Sequence, residues 1–216
     1  MTSTIDYSNE IKSQVGAGLS LPVMEHFYTI QGEGVHSGVP CYFVRLAGCD
    51  VGCPWCDVKE SWDQESHPIH TVEEIISWIC ETKAPRVVIT GGEPLMHKLD
   101  ALCDLLHIKG LDCHIETSGA HAYSGDWDWF TLSPKKRKHP KLENYLKADE
   151  LKVVIARPND FVFAEEQALK VSSTCKLYLQ PEWSKESEII ENMIAYVKEN
   201  PRWNISLQTH KYMDIP

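Results

Sequence analysis

The strongest constraint on this chain is an alternation. Short apolar runs rich in β-branched residues, each closed by turn residues, recur along the sequence with helical patterns between several of them. The runs are Tyr42-Phe43-Val44, Val87 to Thr90, Cys113 to Thr117, Phe130-Thr131-Leu132, Leu151 to Ile155 and Leu177-Tyr178-Leu179. Each predicts a buried strand. Residues 71–83 open with Thr71 and Glu74 at capping-box spacing and put Val72, Ile75, Ile76 and Ile79 on one helical face. Leu102, Leu105 and Leu106 mark a second helix over 99–108, and Ile190, Ile194 and Val197 a third over 187–199. Strands alternating with helices imply parallel βαβ units. The 216 residues fall short of the roughly 250 that a closed eight-fold barrel takes. The expectation is therefore an α/β fold, a shortened, open, partial TIM-like barrel. Residues 1–22, polar and ending at Pro22, predict a loosely packed N-terminal extension, leaving 23–216 as a single domain.

In such folds chemistry sits at the carboxyl ends of the strands, and polar motifs fall there. Gly91-Gly92-Glu93-Pro94 ends one strand, Glu116-Thr117-Ser118-Gly119 the next, and Ser133-Pro134-Lys135 the one after. A formal charge of -10 argues against nucleic acid as a partner, since neutralising phosphates needs surplus Lys and Arg. The one basic run, Lys135 to Lys138, reads as a solvated loop. No segment reaches the roughly 20 apolar residues that span a bilayer, and the start, with Asp6, Glu10 and Lys12, has no apolar core of a secretory signal. The expected compartment is the cytoplasm, without membrane association. There, eight cysteines point to metal ligation, catalysis or burial rather than disulfides.

Three of the eight, Cys49, Cys53 and Cys56, share a loop with Gly52 and Pro54. Three thiolates from one short loop can each bind one iron of a cubane and leave the fourth iron open. The amino and carboxylate groups of S-adenosylmethionine (SAM) can chelate that open iron, and an electron then breaks a sulfur–carbon bond to give a 5′-deoxyadenosyl radical. A zinc site would need a fourth ligand such as Cys41, His36 or His67. Dithiol chemistry at Cys53 and Cys56 would leave Cys49 idle. The cluster reading uses all three thiols and is preferred. Cys41, Cys80, Cys103, Cys113 and Cys175 read as core or surface thiols.

The three-cysteine spacing resembles the signature of the radical SAM superfamily. Further motifs, in order, make the chain similar to the 7-carboxy-7-deazaguanine synthase family from about Phe27 to Pro216. These are Tyr28 to Gly34, Arg45, Thr90 to Pro94, Glu116 to Gly119, Ser133 to Lys135, Glu150-Leu151-Lys152, Gln180-Pro181 and Gln208 to Tyr212. The resemblance implies a radical SAM lyase with a [4Fe-4S] cluster, SAM and a magnesium ion. It would convert 6-carboxy-5,6,7,8-tetrahydropterin to 7-carboxy-7-deazaguanine and ammonia by radical ring contraction, regenerating SAM. A homodimer reduced by an external flavodoxin- or ferredoxin-type donor is implied as well. Two competing readings are a radical SAM activating enzyme for a glycyl-radical protein, which gives no reason for Arg45 or the closing motif, and a non-catalytic iron–sulfur or zinc module.

By the same resemblance Trp55, Cys56, Asp57, Gly92, Glu93, Ser133, Pro134, Lys135 and Gln180 to Trp183 (with Pro181 and Glu182) contact SAM. Ile30, Gln31, Gly32, Arg45, Thr90 and Pro216 bind the pterin, Arg45 through its carboxylate. Glu116 and His210 are candidates for binding or proton transfer. If the chain ends at Pro216, its α-carboxylate is a fixed acceptor for the pterin edge, which would bring the tail into the active site. Lys136, Arg137 and Lys138 remain solvated in this reading. One departure stands out: the family usually carries Thr or Ser as a magnesium ligand where this chain has Val58, which leaves the magnesium site and the need for the ion open.

Overall fold

The computed structural model describes residues 9–216. A helix, α1 (Asn9–Ala17), precedes strand β1 (Ser20–Ile30), which is followed by β2 (Pro40–Leu46), β3 (Ile69–Thr71) and α2 (Val72–Cys80). Then come β4 (Arg86–Gly91), α3 (Asp100–Ile108), β5 (Asp112–Thr117), β6 (Trp129–Leu132), α4 (Leu142–Lys147) and β7 (Glu150–Ile155). The chain closes with α5 (Asn159–Ala168), β8 (Lys176–Pro181), α6 (Glu186–Glu199), β9 (Trp203–Ile205) and α7 (Thr209–Met213).

The strands form one sheet in the order β3-β1-β2-β4-β5-β6-β7-β8-β9. β1 runs antiparallel to both β2 and β3, whereas β2 and every later neighbour pair in parallel. β3 and β9 stand at opposite edges without pairing, so the sheet is unclosed, as the expected open barrel requires. One face of the sheet is apolar: Val87, Ile89, Ile115, Leu132, Leu151 and Leu179 are buried in one core with Ile75 and Ile79 of α2 and Leu102 and Leu106 of α3, while Arg45, Thr90, Glu116 and Lys152 stand on the other face. α2 begins as predicted, Thr71 Oγ1 accepting from Glu74 N while Glu74 returns the bond to Thr71 N.

Two expectations are corrected. The sheet takes in Ser20, Leu21 and Pro22 through pairing with β3, and Leu21 is fully buried, so these residues are not loosely packed. Residues 1–8 of the expected extension lie outside the described residues. On α6 the inward face is Ile189 and Met193, whereas Ile194 is 48% exposed. Two adjacent rows of this helix carry apolar residues at three- to four-residue spacing, and periodicity alone does not choose between them.

Candidate active site

The carboxyl ends of the parallel strands surround a cavity of about 460 Å³. β2 leads directly into the cysteine loop, whose start is pinned by Gly48 N to Ser61 O (2.7 Å) and Cys49 N to Trp62 O (3.2 Å). Cys49, Cys53 and Cys56 all line the cavity. Burial pushes the Cys49 and Cys53 thiols up, an effect that the charges of Lys135 and Arg137 oppose at Cys53. Among the described residues no three His, Cys, Asp or Glu side chains converge as ligands of one ion would. A cubane takes one thiolate at each of three separate irons, so it does not ask the three to converge on one ion. The donor set and its placement fit a cluster.

The Gly91-Gly92 turn also lines the cavity. A β-carbon at Gly92 would come within 2.5 Å of Gly48 O and 2.7 Å of Cys49 Cβ. The close approach that glycine permits here is to the cysteine loop itself, and it fixes that loop against β4. Glu93 does not line the cavity. Its buried carboxylate accepts from Leu95 N (3.0 Å), Ser118 N (2.8 Å) and the hydroxyls of Thr117 and Ser118, tying the ends of β4 and β5 together. Pro134 is buried and likewise lies off the cavity.

The remaining positions assigned to SAM are gathered at the wall: Trp55, Asp57, Ser133, Lys135, Gln180, Pro181, Glu182 and Trp183. Lys135 Nζ donates to Ser133 Oγ (2.6 Å) and sits 5.3 Å from the Trp55 ring centre, and burial pushes its pKa down. Lys136, Arg137 and Lys138 are engaged rather than simply solvated. Lys136 pairs with Asp160, Arg137 Nη1 donates to Gly52 O (2.7 Å), and Lys138 Nζ lies 2.5 Å from Asp50, which also meets His121 at 2.9 Å.

The wall assigned to the pterin is formed by Ile30, Gln31, Gly32, Arg45, Thr90, Glu116, His210 and Pro216. Strand register explains part of this grouping, since Arg45 pairs with Thr90 and Glu116 follows Ile115, the partner of Ile89. Arg45 Nε also donates to Glu25 across β1 and β2 (2.6 Å). Beneath lies a buried ionic group. Lys152 Nζ donates to Glu116 Oε2 (3.0 Å) and to Glu33, Gln31 Nε2 donates to Glu116 Oε1 (2.9 Å), and Gln208 Nε2 donates to Glu33 Oε1 (2.9 Å). Burial alone would raise Glu33, but the Lys152 ammonium and its hydrogen bond bring it down to about 2. Burial likewise opposes the charged form of Lys152, and Glu116, Glu33 and Glu150 together raise it above the ordinary range. Burial lowers His210 despite the nearby Glu33 carboxylate.

Glu33, Lys152, Gln208 and Lys211 also line the cavity, and motif reading gave none of them a role. Lys152 had a visible signal: it interrupts the apolar strand Leu151 to Ile155, and a cation in a buried strand requires a partner. Lys211 Nζ stands 3.3 Å from Asp57 and 4.9 Å from the Trp183 ring centre. Val58 lines the wall beside them without an oxygen donor.

An open α/β barrel with a three-thiol loop at its carboxyl end, braced by a Gly-Gly turn, defines a radical SAM enzyme, and residues 44–130 match the Radical SAM superfamily. The 7-carboxy-7-deazaguanine synthase of Flavobacterium psychrophilum is 52% identical, covering 97% of this chain and 99% of the relative. That of Synechocystis sp. is 48% identical, covering 91% and 94%. The crystal structure of QueE from Escherichia coli superposes with a TM-score of 0.76 at 31% identity, covering 93% of this chain and 98% of that one. The chain belongs to the 7-carboxy-7-deazaguanine synthase family. Among the described residues no helix is long and apolar enough to cross a membrane.

Proposed function

We propose that this chain converts 6-carboxy-5,6,7,8-tetrahydropterin to 7-carboxy-7-deazaguanine with release of ammonia, inside a single domain spanning 23–216, with Ser20 to Pro22 added to its sheet. The observation that carries this reading is a single cavity lined both by three thiols and by paired donors and acceptors. Cys49, Cys53 and Cys56 would hold a [4Fe-4S] cluster, which with bound SAM supplies an organic radical by one-electron cleavage of a sulfur–carbon bond. Lys135, Ser133, Trp55 and the Gln180–Trp183 segment bind SAM. The guanidinium of Arg45 takes the substrate carboxylate, a geometry suited to that group. Thr90 and the Ile30-Gln31-Gly32 backbone meet the pterin edge, which offers donors and acceptors in alternation.

Glu116 has one oxygen held by Gln31 and the other by Lys152. Both partners are donors, so the group is kept as an acceptor towards the ring. His210, held neutral by burial, can take up a proton during the rearrangement. The tail reaches the same wall through Pro216, and Thr209 N and Oγ1 both donate to Gly32 O (3.0 Å each), which supports a binding role for it. A homodimer, an external low-potential electron donor and a cytoplasmic setting complete the reading. Anaerobic reconstitution with SAM, reductant and 6-carboxy-5,6,7,8-tetrahydropterin, followed by mass spectrometry, tests it. The expected product is 7-carboxy-7-deazaguanine. Formation of 5′-deoxyadenosine alone would remove the substrate assignment.

A further inference from the structure

Behind the cavity wall, one buried serine joins the loop after β1 to the end of β8. We propose that Ser206 is a positioning residue that sets the Gln180 side-chain amide, holding its oxygen inward and leaving its NH2 to bound SAM. The inference rests on the reading above that the Gln180–Trp183 segment takes SAM. Ser206 directly follows β9 and is fixed to β8 by Ser206 N donating to Leu179 O (2.9 Å). Its side chain is buried and does not line the cavity, whereas Gln180 does. Gln180 stands on the cavity face of β8: its register partner Val154 lines the cavity too, and the neighbouring Leu179 belongs to the apolar core.

The hydrogen bonds run in one direction. Gly34 N donates to Ser206 Oγ (2.9 Å), and Ser206 Oγ donates to Gln180 Oε1 (2.9 Å). A backbone N–H can only donate, so the serine oxygen accepts from Gly34 and keeps its own hydrogen for its second neighbour. That neighbour must present an oxygen. With the amide turned over, its NH2 would donate to the same hydroxyl, and the serine hydrogen would be buried without an acceptor among the described residues. The bond to Ser206 is the one hydrogen bond of the Gln180 side chain among the described residues, so Nε2 is left as a donor at the wall. A donor there selects a ligand atom with a lone pair, which SAM offers in its carboxylate, its ribose oxygens and its adenine nitrogens. Without the serine hydroxyl the amide is free to turn, and its carbonyl would then meet such an atom lone pair against lone pair.

The test uses the reconstituted holoenzyme with its cluster oxidised, so that SAM binds without being cleaved. The SAM dissociation constant is measured by equilibrium dialysis for wild type, Ser206→Ala, Gln180→Met and the double variant. Iron per chain and the KM for the pterin are measured alongside. Losing one oriented hydrogen bond to a ligand costs about tenfold in affinity, so S206A and Q180M should each weaken SAM by about that factor. The double variant should bind no worse than Q180M, because the serine acts through the glutamine. Iron content is expected to stay at the wild-type level throughout. Losses that multiply in the double variant, or loss of iron in S206A, overturn the proposal and make Ser206 a support of the fold. Unchanged SAM affinity in either single variant, including a loss in S206A confined to the pterin KM, also overturns it and leaves the synthase reading intact. A wild-type holoenzyme that binds no SAM removes the reading on which the inference rests.

Discussion

Lys152 places its ammonium 3.0 Å from Glu116 while also holding Glu33, and only 3% of the Lys152 side chain is exposed. One cation thereby serves two carboxylates, one on the pterin wall and one that anchors Gln208 of the closing segment. Removing one partner of a buried ionic group leaves the others uncompensated, at a cost of about 3–5 kcal/mol. Lys152→Met should lower the urea midpoint by a corresponding amount near pH 7 and abolish turnover, while iron per chain in reconstituted protein stays at the wild-type level. A variant as stable as wild type would show that the two carboxylates do not depend on Lys152.

Acid sensitivity should come in two steps of the same sign. Burial, with the neighbouring His36 and Arg86 charges, lowers His114 from 6.5 to about 4. The unfolded chain therefore takes up that proton first, and stability present above pH 6.5 declines as the pH falls towards 4. Glu33 is depressed from 4.5 to about 2, so its contribution is complete above 4.5 and is lost as the pH falls through 2. His114→Phe should flatten the upper step and Glu33→Gln the lower one, measured as denaturation free energy against pH. If either variant keeps the wild-type slope in its own window, the assignment of that step is wrong.

Much of this arrangement was legible from residue types. The six parallel strands from Tyr42 to Leu179 announce themselves because each is a short run rich in β-branched and apolar residues closed by turn residues. The cysteine loop and the strand-end motifs then fall at one end of the sheet by polarity. β1 was not legible in the same way, since it carries Pro22, Glu25 and His26 and a register irregularity between Val23 and Glu25. β9 is only three residues long, too short to show a period. The ionic group of Glu33, Glu116 and Lys152 joins positions far apart in the chain. Its existence can be inferred from a lysine in an apolar strand, but its partners are set by tertiary register. The bonds of Arg137 and Lys138 to the cysteine loop have no local signal at all.

Gly32 tests how far the closing segment depends on close backbone approach. A β-carbon there would fall 2.2 Å from His210 Nδ1 and 2.8 Å from His210 N. The ring can swing aside, but the backbone nitrogen belongs to a turn tied to Gly32 O through Thr209. Gly32→Ala should therefore displace His210 and the tail from the pterin wall. A shift of about 1 Å in a positioning element costs on the order of 100-fold in rate, and kcat/KM for the pterin is expected to fall by about that factor. SAM cleavage without substrate should fall far less, because the start of the cysteine loop is held by Ser61 O and Trp62 O rather than by the closing segment. Unchanged pterin kinetics would mean that the tail is not part of the substrate site.

Val58 bears on magnesium. It lines the cavity directly after Asp57, and the Asp57 carboxylate stands 3.3 Å from the Lys211 ammonium. A hard dication takes oxygen ligands, and here the side chain at position 58 supplies none while the adjacent carboxylate faces a resident cation. Turnover should therefore depend on magnesium only weakly. Val58→Thr, which adds a hydroxyl at nearly constant volume, should make the rate respond to it. The measurement is initial product formation across a magnesium series after chelator treatment, with iron content assayed alongside to exclude loss of the cluster. A wild-type rate that collapses in chelator and returns only with magnesium would show that substrate, water and Asp57 suffice to hold the ion. A Val58→Thr enzyme indifferent to magnesium would show that position 58 does not face it.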